Sequence, residues 1–320
     1  MYRVFIDGQA GTTGLQIHER LLVRPDIELL EIDPAERKNS SVKQAIIDAA
    51  DVVILCLPDE VALETVAKNS RNRVRFIDAS TAHRTNPDWV YGFPELTGNQ
   101  RQQIASATLV ANPGCYPTGF LAAVRPLVDN NLLNQKSLLT VSAISGYSGG
   151  GSKLIERYEA RSAMHPEQLW HARPYALGLK HKHIPEMQVL ASLANEPIFL
   201  PVVGHFHQGM LVSFPIHQEQ LTRQTSPEAV HALLSERYAN EPCINVLPLN
   251  ADDVLDQGFL DPEGANGTNR IDLLVYGHQK QMVLIARLDN LGKGASGAAV
   301  QNLNLMCGLP ETAGLILPKN

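Results

Sequence analysis

The most constraining feature of this chain is the rhythm of its first 80 residues, where short apolar runs alternate with amphipathic stretches. Tyr2-Arg3-Val4-Phe5-Ile6 reads as a buried strand, and Leu15 to Leu22 as a helix. Strands follow at Ile27 to Ile32, Val52 to Leu57 and Val74 to Ile77, with helices between them at Ser41 to Ala50 and Glu60 to Lys68. A strand that is apolar at nearly every position must be covered on both faces. Helices between successive strands supply that cover when the strands run parallel.

The texture changes after about residue 115. Leu138 to Ile144, Val202 to Pro215 and Leu273 to Leu288 alternate apolar and polar residues, the pattern of a mixed or antiparallel sheet with one face exposed. Ala295 to Met306 returns to helical apolar spacing behind Gly292-Lys293-Gly294. No repeat, low-complexity run or flexible linker interrupts the chain. The expected fold class is α/β: a Rossmann-type dinucleotide-binding domain over residues 1–115 and 290–320, with an α+β substrate and oligomerisation domain carrying a mixed sheet over 116–289.

Composition removes several classes of function. The chain has 320 residues, enough for two domains with sizeable cores. With 27 Lys+Arg against 33 Asp+Glu it has no basic surplus for phosphate backbones, so nucleic acid is not an expected partner. The longest apolar run, Val52 to Leu57, falls far short of the roughly 18 residues of a membrane span, so no membrane association is expected. Cys56, Cys115, Cys243 and Cys307 are scattered, without a CxxC pair. The first strand starts at residue 2 with no charged-then-apolar leader. A reduced, cytoplasmic globular protein is expected.

Gly8-Gln9-Ala10-Gly11-Thr12-Thr13-Gly14 lies between the first strand and the first helix. Two residues separate Gly8 from Gly11, one more than in the usual fingerprint. The physics is unchanged: glycines let backbone N–H groups approach a pyrophosphate at a helix N-terminus, and Thr12 and Thr13 add hydroxyl donors. Beyond the second strand, Asp33 suits a ribose 2′-hydroxyl, whereas Arg37, Lys38, Ser40 and Ser41 suit a 2′-phosphate. The residues alone leave NAD against NADP open.

The most informative stretch is Asn112-Pro113-Gly114-Cys115-Tyr116-Pro117-Thr118-Gly119. Pro117 reads as the first residue of a helix through Val128, which puts Cys115 just before a positive helix end that favours the thiolate. The competing reading is a small buried hydrophobe, which suits Cys56 between Leu55 and Leu57. Seven of the eleven histidines lie between His165 and His217, so residue type alone selects none of them. His205 and His207 alternate along an expected strand and would share a face. A metal site there lacks an identifiable third ligand, so no metal is expected.

Residues 110–126, Val-Ala-Asn-Pro-Gly-Cys-Tyr-Pro-Thr-Gly-Phe-Leu-Ala-Ala-Val-Arg-Pro, resemble the active-site signature of N-acetyl-γ-glutamyl-phosphate reductases, enzymes of arginine biosynthesis. Tyr91-Gly92-Phe93-Pro94-Glu95-Leu96, the loop from Ser145 to Gly151, and His181-Lys182-His183-Ile184-Pro185-Glu186 resemble further motifs of that family, in order. Asp289 to Ala295 followed by Gln301-Asn302 resembles the segment it shares with aspartate-semialdehyde dehydrogenases. The glycine turn departs from the commoner Gly-Ala-Thr-Gly-Tyr-Thr-Gly. Gly204 to Met210 replaces an arginine-containing segment, as in the family's shorter subgroup, so arginine contacts from longer members are not carried over.

The resemblance implies NADPH-dependent reduction of N-acetyl-γ-glutamyl phosphate to the γ-semialdehyde, by way of a thioester on Cys115. It implies that His181 and His183 face the substrate, one of them as proton donor and acceptor; His183 ranks first for that duty, His181 second and His207 third. Ser148, Arg84 and Lys182 are candidates for the substrate's phosphate and carboxylate. Gly8, Gly11, Thr12, Thr13, Gly14, Arg37, Ser40, Asn290 and Gly292 are candidates for NADP(H). A homodimer or homotetramer acting on a small acyl phosphate is expected. Aminoadipyl or aspartyl phosphate as substrate, or a nucleotide-binding regulatory protein without turnover, remain alternatives.

Overall fold

A computed structural model describes residues 1–37, 39–69 and 73–317, which form two compact units. The first comprises Met1–Gly114 and Ala295–Leu315; the second comprises Cys115–Gly294 with the chain end from Ile316.

In the first unit, strands β1 (Tyr2–Asp7), β2 (Ile27–Leu30), β3 (Val52–Leu55), β4 (Arg75–Asp78), β5 (Val90–Tyr91) and β6 (Leu109–Ala111) form a parallel sheet in the order β2-β1-β3-β4-β6-β5. Helices α1 (Thr12–Leu22), α2 (Ser40–Ala49), α3 (Asp59–Asn69) and α4 (Gln100–Ser106) connect them. The alternation along each strand explains the two-sided cover. Val4, Ile6, Val52, Ile54, Ile77 and Val110 join one core with Ile17 and Leu21 of α1 and Ile104 of α4. Phe5, Val53, Leu55, Phe76 and Ala111 face the other way, into a core with Ile47 and Ala62 of α2 and α3. All four residues of β3 are buried, and each such side chain contributes about 1.5–3 kcal/mol through removal from water.

The second unit is built on α5 (Cys115–Asp129), β7 (Thr140–Ser145), α6 (Ser152–Met164), β8 (Ala172–Pro174), α7 (Ile184–Leu190), β9 (Ile198–Gly204), β10 (Met210–His217), α8 (Pro227–Tyr238), β11 (Ile244–Val246), the small ribbon β12 (Leu255–Asp256) and β13 (Phe259–Leu260), β14 (Ile271–His278) and β15 (Gln281–Leu288). Its sheet runs β11-β14-β15-β10-β7-β9-β8 and is mixed: β11 with β14 and β7 with β9 are parallel, the other neighbours antiparallel. Helices α5 and α8 pack on one face, joined where the Tyr238 hydroxyl donates to the Ala122 carbonyl at 2.8 Å. Ile198, Leu200, Val202, Ile144, Leu211, Val283 and Ile285 alternate with buried residues and stay partly exposed on the opposite side of the strands.

Three local expectations are corrected. The segment Val202 to Pro215 is two strands, because the chain turns through residues 205–209 between β9 and β10, where Gly209 adopts φ +109°. His205 and His207 therefore lie in that bend and do not share a strand face. Helix α5 begins at Cys115, two residues before Pro117, so the cysteine is the helix's first residue. In the tail, a π-helical segment at Gly292–Ser296 precedes α9 (Gly297–Met306), which returns to the first unit and is buried on almost every side.

Candidate active site

The glycine turn of the first unit has the geometry of a phosphate cradle. Gly8 holds φ +92°, and a Cβ there would lie 2.3 Å from the Cys56 carbonyl oxygen. A Cβ on Gly14 would lie 2.5 Å from the Gly8 carbonyl oxygen, and the Gly11 N–H donates to that same oxygen at 3.0 Å. Helix α1 opens at Thr12 and Thr13 with no side-chain cap, so its first N–H groups face outward in the manner that suits an anion.

Around this turn the polar residues are less free than their types suggest. The Asp33 carboxylate accepts the Ala35 N–H at 2.8 Å and caps a short turn. Arg37 and Ser40 are exposed, and Lys38 lies outside the described residues. Arg84 is half-buried, with Nε donating to the Asn112 carbonyl at 2.9 Å and a terminal nitrogen to the Ala79 carbonyl at 3.0 Å. Its loop is braced by Asp78, which accepts the Ser80 N–H at 2.9 Å and His83 Nδ1 at 2.6 Å. His83 stacks on Trp89 at 4.0 Å.

Buried polar residues of α9 tie these strand ends together. Asn302 Nδ2 donates to the Gly92 carbonyl at 2.9 Å and to Asn112 Oδ1 at 3.1 Å, while Asn112 Nδ2 reaches the Ala295 carbonyl at 3.0 Å. Asn302 Oδ1 is buried and has no hydrogen-bond partner among the described residues. An open helix end, a cradle that side chains would fill and a spare buried acceptor together fit a dinucleotide.

In the second unit Cys115 opens α5, and the backbone of the Gly292–Ser296 segment crowds it: a Cβ on Gly294 would lie 2.8 Å from Cys115 Cβ. That approach is pinned by Asp289, whose carbonyl accepts the Gly294 N–H at 2.9 Å and whose carboxylate accepts the Leu291 and Gly267 N–H groups at 2.9 and 2.8 Å. Asn290 accepts the Gly209 N–H at 2.7 Å and donates to the Ser148 hydroxyl at 3.0 Å. Its amide is thereby committed inside the unit, holding Ser148, which is buried. Gly292 belongs to the same segment, where a Cβ would strike the Thr268 carbonyl at 2.4 Å.

The histidines separate by environment. His183 is buried at the start of α7, its ring 4.7 Å from that of His181 and 5.8 Å from that of Tyr116. His181 accepts the His183 backbone N–H through Nδ1 at 3.1 Å, and its Nε2 lies 3.3 Å from the Tyr175 hydroxyl. Tyr175 in turn donates to the Tyr116 hydroxyl at 3.3 Å. Burial, aided by the neighbouring Lys182, lowers the His181 pKa to about 4. Burial pushes Tyr175 up to about 12 and Tyr116 well above the ordinary phenol value. Lys182 itself is exposed. His207 is exposed with its ring edge-on to Tyr147 at 5.4 Å, and His205 Nε2 lies 2.9 Å from the Ser162 hydroxyl. Among the described residues no three His, Cys, Asp or Glu side chains are grouped to hold a metal.

The structure places Cys115, Ser148, Asn290, Gly292, His181, Lys182 and His183 in the second unit, and Gly8 to Gly14, Arg37, Ser40 and Arg84 in the first; the sequence reading had put Cys115, Asn290 and Gly292 with the dinucleotide-binding residues. That reading missed Tyr175, and gave no role to Gly294 within the segment it quoted. Tyr116 was visible beside the cysteine, but only its neighbours in space reveal a role. Tyr175 stands six residues before His181 in an irregular stretch with no periodicity to flag it.

Two family models match the chain: the semialdehyde dehydrogenase NAD binding domain over residues 31–107, and the semialdehyde dehydrogenase dimerisation domain over residues 115–290. Solved structures of aspartate semialdehyde dehydrogenase II from Vibrio cholerae, complexed with ASA, and of aspartate semialdehyde dehydrogenase from Francisella tularensis share the fold, with TM-scores of 0.75 and 0.74. Sequence identity is 17% and 15%; each alignment covers 96% of this chain and, respectively, 98% and 100% of the other. Fold and site together define a protein of the semialdehyde dehydrogenase class. Much nearer in sequence are N-acetyl-gamma-glutamyl-phosphate reductase 2 of Nostoc sp. and the N-acetyl-gamma-glutamyl-phosphate reductase of Brucella suis. They are 47% and 49% identical over 98% and 96% of this chain, and 99% of each relative. The chain belongs to the N-acetyl-gamma-glutamyl-phosphate reductase family.

Proposed function

We propose that this chain is the NADPH-dependent oxidoreductase of amino-acid biosynthesis that converts N-acetyl-γ-glutamyl phosphate to the γ-semialdehyde, through a thioester on Cys115. The observation that carries the reading is Cys115 at the first residue of α5, with the Gly294 backbone closed against it. The Cys115 thiolate attacks the acyl carbon. The new C–S bond replaces the C–O bond to phosphate, which leaves with its electron pair, so one difficult step becomes two. When bound, NADP(H) supplies the hydride that reduces the acyl carbon, and the glycine turn of Gly8, Gly11, Thr12, Thr13 and Gly14 is assigned to its phosphates. Arg37 and Ser40 are the exposed groups available to a 2′-phosphate. The first helical N–H groups of α5 and His183, with the His181 ring packed 4.7 Å from its own, are assigned to the oxygen charge that develops during attack and reduction. Collapse of the tetrahedral adduct breaks the C–S bond and returns the thiolate. Ser148, steadied by Asn290, is assigned to the substrate, with Lys182, His207 and Arg84 as its charged surroundings. The first unit is then the cofactor domain and the second the substrate domain.

The deciding experiment is the reverse assay, with semialdehyde, NADP and phosphate, on wild type and Cys115→Ser. Activity in wild type and a loss of about 10³-fold or more in the variant are expected. Turnover that survives in the variant overturns the thioester. Aminoadipyl and aspartyl substrates run in parallel test the choice of acyl group.

The assembly is assigned as a homodimer or a homotetramer, formed by a second copy on the open sheet face. Leu200 and Ile198, 42% and 49% exposed, lie there beside half-exposed Ile144 and Leu211, and the matching family model over 115–290 is described as a dimerisation domain. The four cysteines form no disulfide among the described residues, which suits an enzyme that needs a reduced thiol, and no described helix is long and apolar enough to cross a membrane.

A further inference from the structure

The hydrogen bonds around His181 run in one direction. The His183 N–H can only donate, so His181 Nδ1 is the acceptor and carries no proton. A neutral imidazole then bears its proton on Nε2, and the facing Tyr175 hydroxyl, 3.3 Å away, accepts it. Tyr175 must pass its own hydrogen onward, and does so to the Tyr116 hydroxyl at 3.3 Å. With His181 neutral, donor and acceptor are therefore fixed at each step from the His183 N–H through His181 and Tyr175 to the Tyr116 hydroxyl.

The surroundings hold this arrangement. His181 is packed by Phe199 of β9 at 5.1 Å, Tyr116 of α5 at 5.8 Å, Tyr175 at 5.6 Å and His183 at 4.7 Å. Lys182 is the charge that acts on it, and like charge opposes a second cation there. An imidazolium would also turn Nδ1–H against the His183 N–H, donor against donor.

We propose that His181 is held in this enzyme as a neutral imidazole whose single ring proton, on Nε2, is given to Tyr175, and that His181, Tyr175 and Tyr116 are positioning residues that hold the His183 backbone in place. In this arrangement His181 has no ring proton left for a substrate oxygen and does not titrate. The acid–base duty falls to His183. The inference rests on the reductase reading for that duty, but the tautomer is measurable without turnover.

The test is ¹⁵N NMR of histidine-labelled full-length protein, assigned with His181→Asn and followed from pH 5 to 8, alongside Tyr175→Phe and Tyr116→Phe. Wild-type His181 is expected to stay neutral across that range with its proton on Nε2. In Tyr175→Phe the Nε2 resonance should shift as its hydrogen bond is lost, kcat should fall about tenfold, and KM should stay within about twofold. Tyr116→Phe should act in the same direction, and the double variant should lose no more than Tyr175→Phe alone, as a single chain requires. A His181 that titrates between pH 6 and 7, or carries its proton on Nδ1, overturns the proposal. So does a Tyr175→Phe enzyme with unchanged ¹⁵N shifts and kcat. If the tautomer and its response to Tyr175→Phe are as expected but wild type reduces no acyl phosphate, the reductase reading fails and the positioning chain stands.

Discussion

His181 also leaves a signature in stability. Its folded-state pKa near 4 lies below the ordinary value of 6.5, so between those pH values the unfolded chain binds a proton that the folded one refuses. Stability should therefore fall as pH drops from about 6.5 toward 4, and the slope should be shallower in His181→Asn, read from urea midpoints at several pH values. An identical slope in both proteins would refute the assignment. The thiols divide on the same physical ground. Burial, with the nearby Asp78 and Asp7 carboxylates, pushes Cys56 up to about 12, and burial raises Cys307 to about 11, while Cys243 is wholly enclosed. Iodoacetamide at pH 8 should alkylate Cys115 first, with peptide mapping as the readout. Rapid labelling of Cys56 would contradict the geometry.

At the scale of elements, the glycine turn and the C-terminal helix carry the sharpest consequences. Gly8→Ala forces a Cβ against the Cys56 carbonyl at a φ that suits glycine, which should cost about 1–3 kcal/mol in backbone strain and displace the turn. NADPH affinity should drop with it, measured by fluorescence titration. Asn302→Ala should cost about 2–3 kcal/mol, because the Gly92 carbonyl and Asn112 Oδ1 lose a buried donor. Thermal melts monitored by circular dichroism check both. The strands of the first unit were legible in the sequence because Val52 to Leu57 is apolar at every position and its companions at most positions, which few environments besides a doubly covered parallel sheet satisfy. The bend at residues 205–209 was not legible. Its Gly209 is held by Asn290, 81 residues away in sequence, and no local pattern announces that contact.

For the whole molecule, the open sheet face makes the assembly testable. Leu200 pairs in register with Ser142, Ser142 with Ser213, and Ser213 with Ile285, while Val202, Ile144 and Leu211 form the adjoining row. Two such rows buried by a second copy predict that Leu200→Lys shifts the protein to monomer in sedimentation velocity while its circular dichroism is retained. A Leu200→Lys protein that stays fully associated would place the interface elsewhere. The topology adds a second point at this scale. The chain leaves the first unit at Gly114 and returns at Ala295, so Cys115 and Gly294, which pack together, are the first and last residues of the long segment that makes up the second unit.

What the sequence determined by itself was the chemistry and its order along the chain: a glycine turn behind the first strand, a cysteine at a helix start, a pair of histidines ahead of α7. These are local properties, set by backbone sterics, helix-end polarity and apolar periodicity within a dozen residues. Tertiary structure alone decided which of those groups remain available. Asn290, Asp33 and Arg84 read as ligand-binding types, yet their hydrogen bonds are engaged within the fold. His181 reads as an ordinary titrating histidine, yet a backbone N–H on one nitrogen and a tyrosine on the other bind both ends of its ring. Hydrogen bonding and desolvation depend on groups brought close by folding, and such neighbours can be any distance apart in the chain.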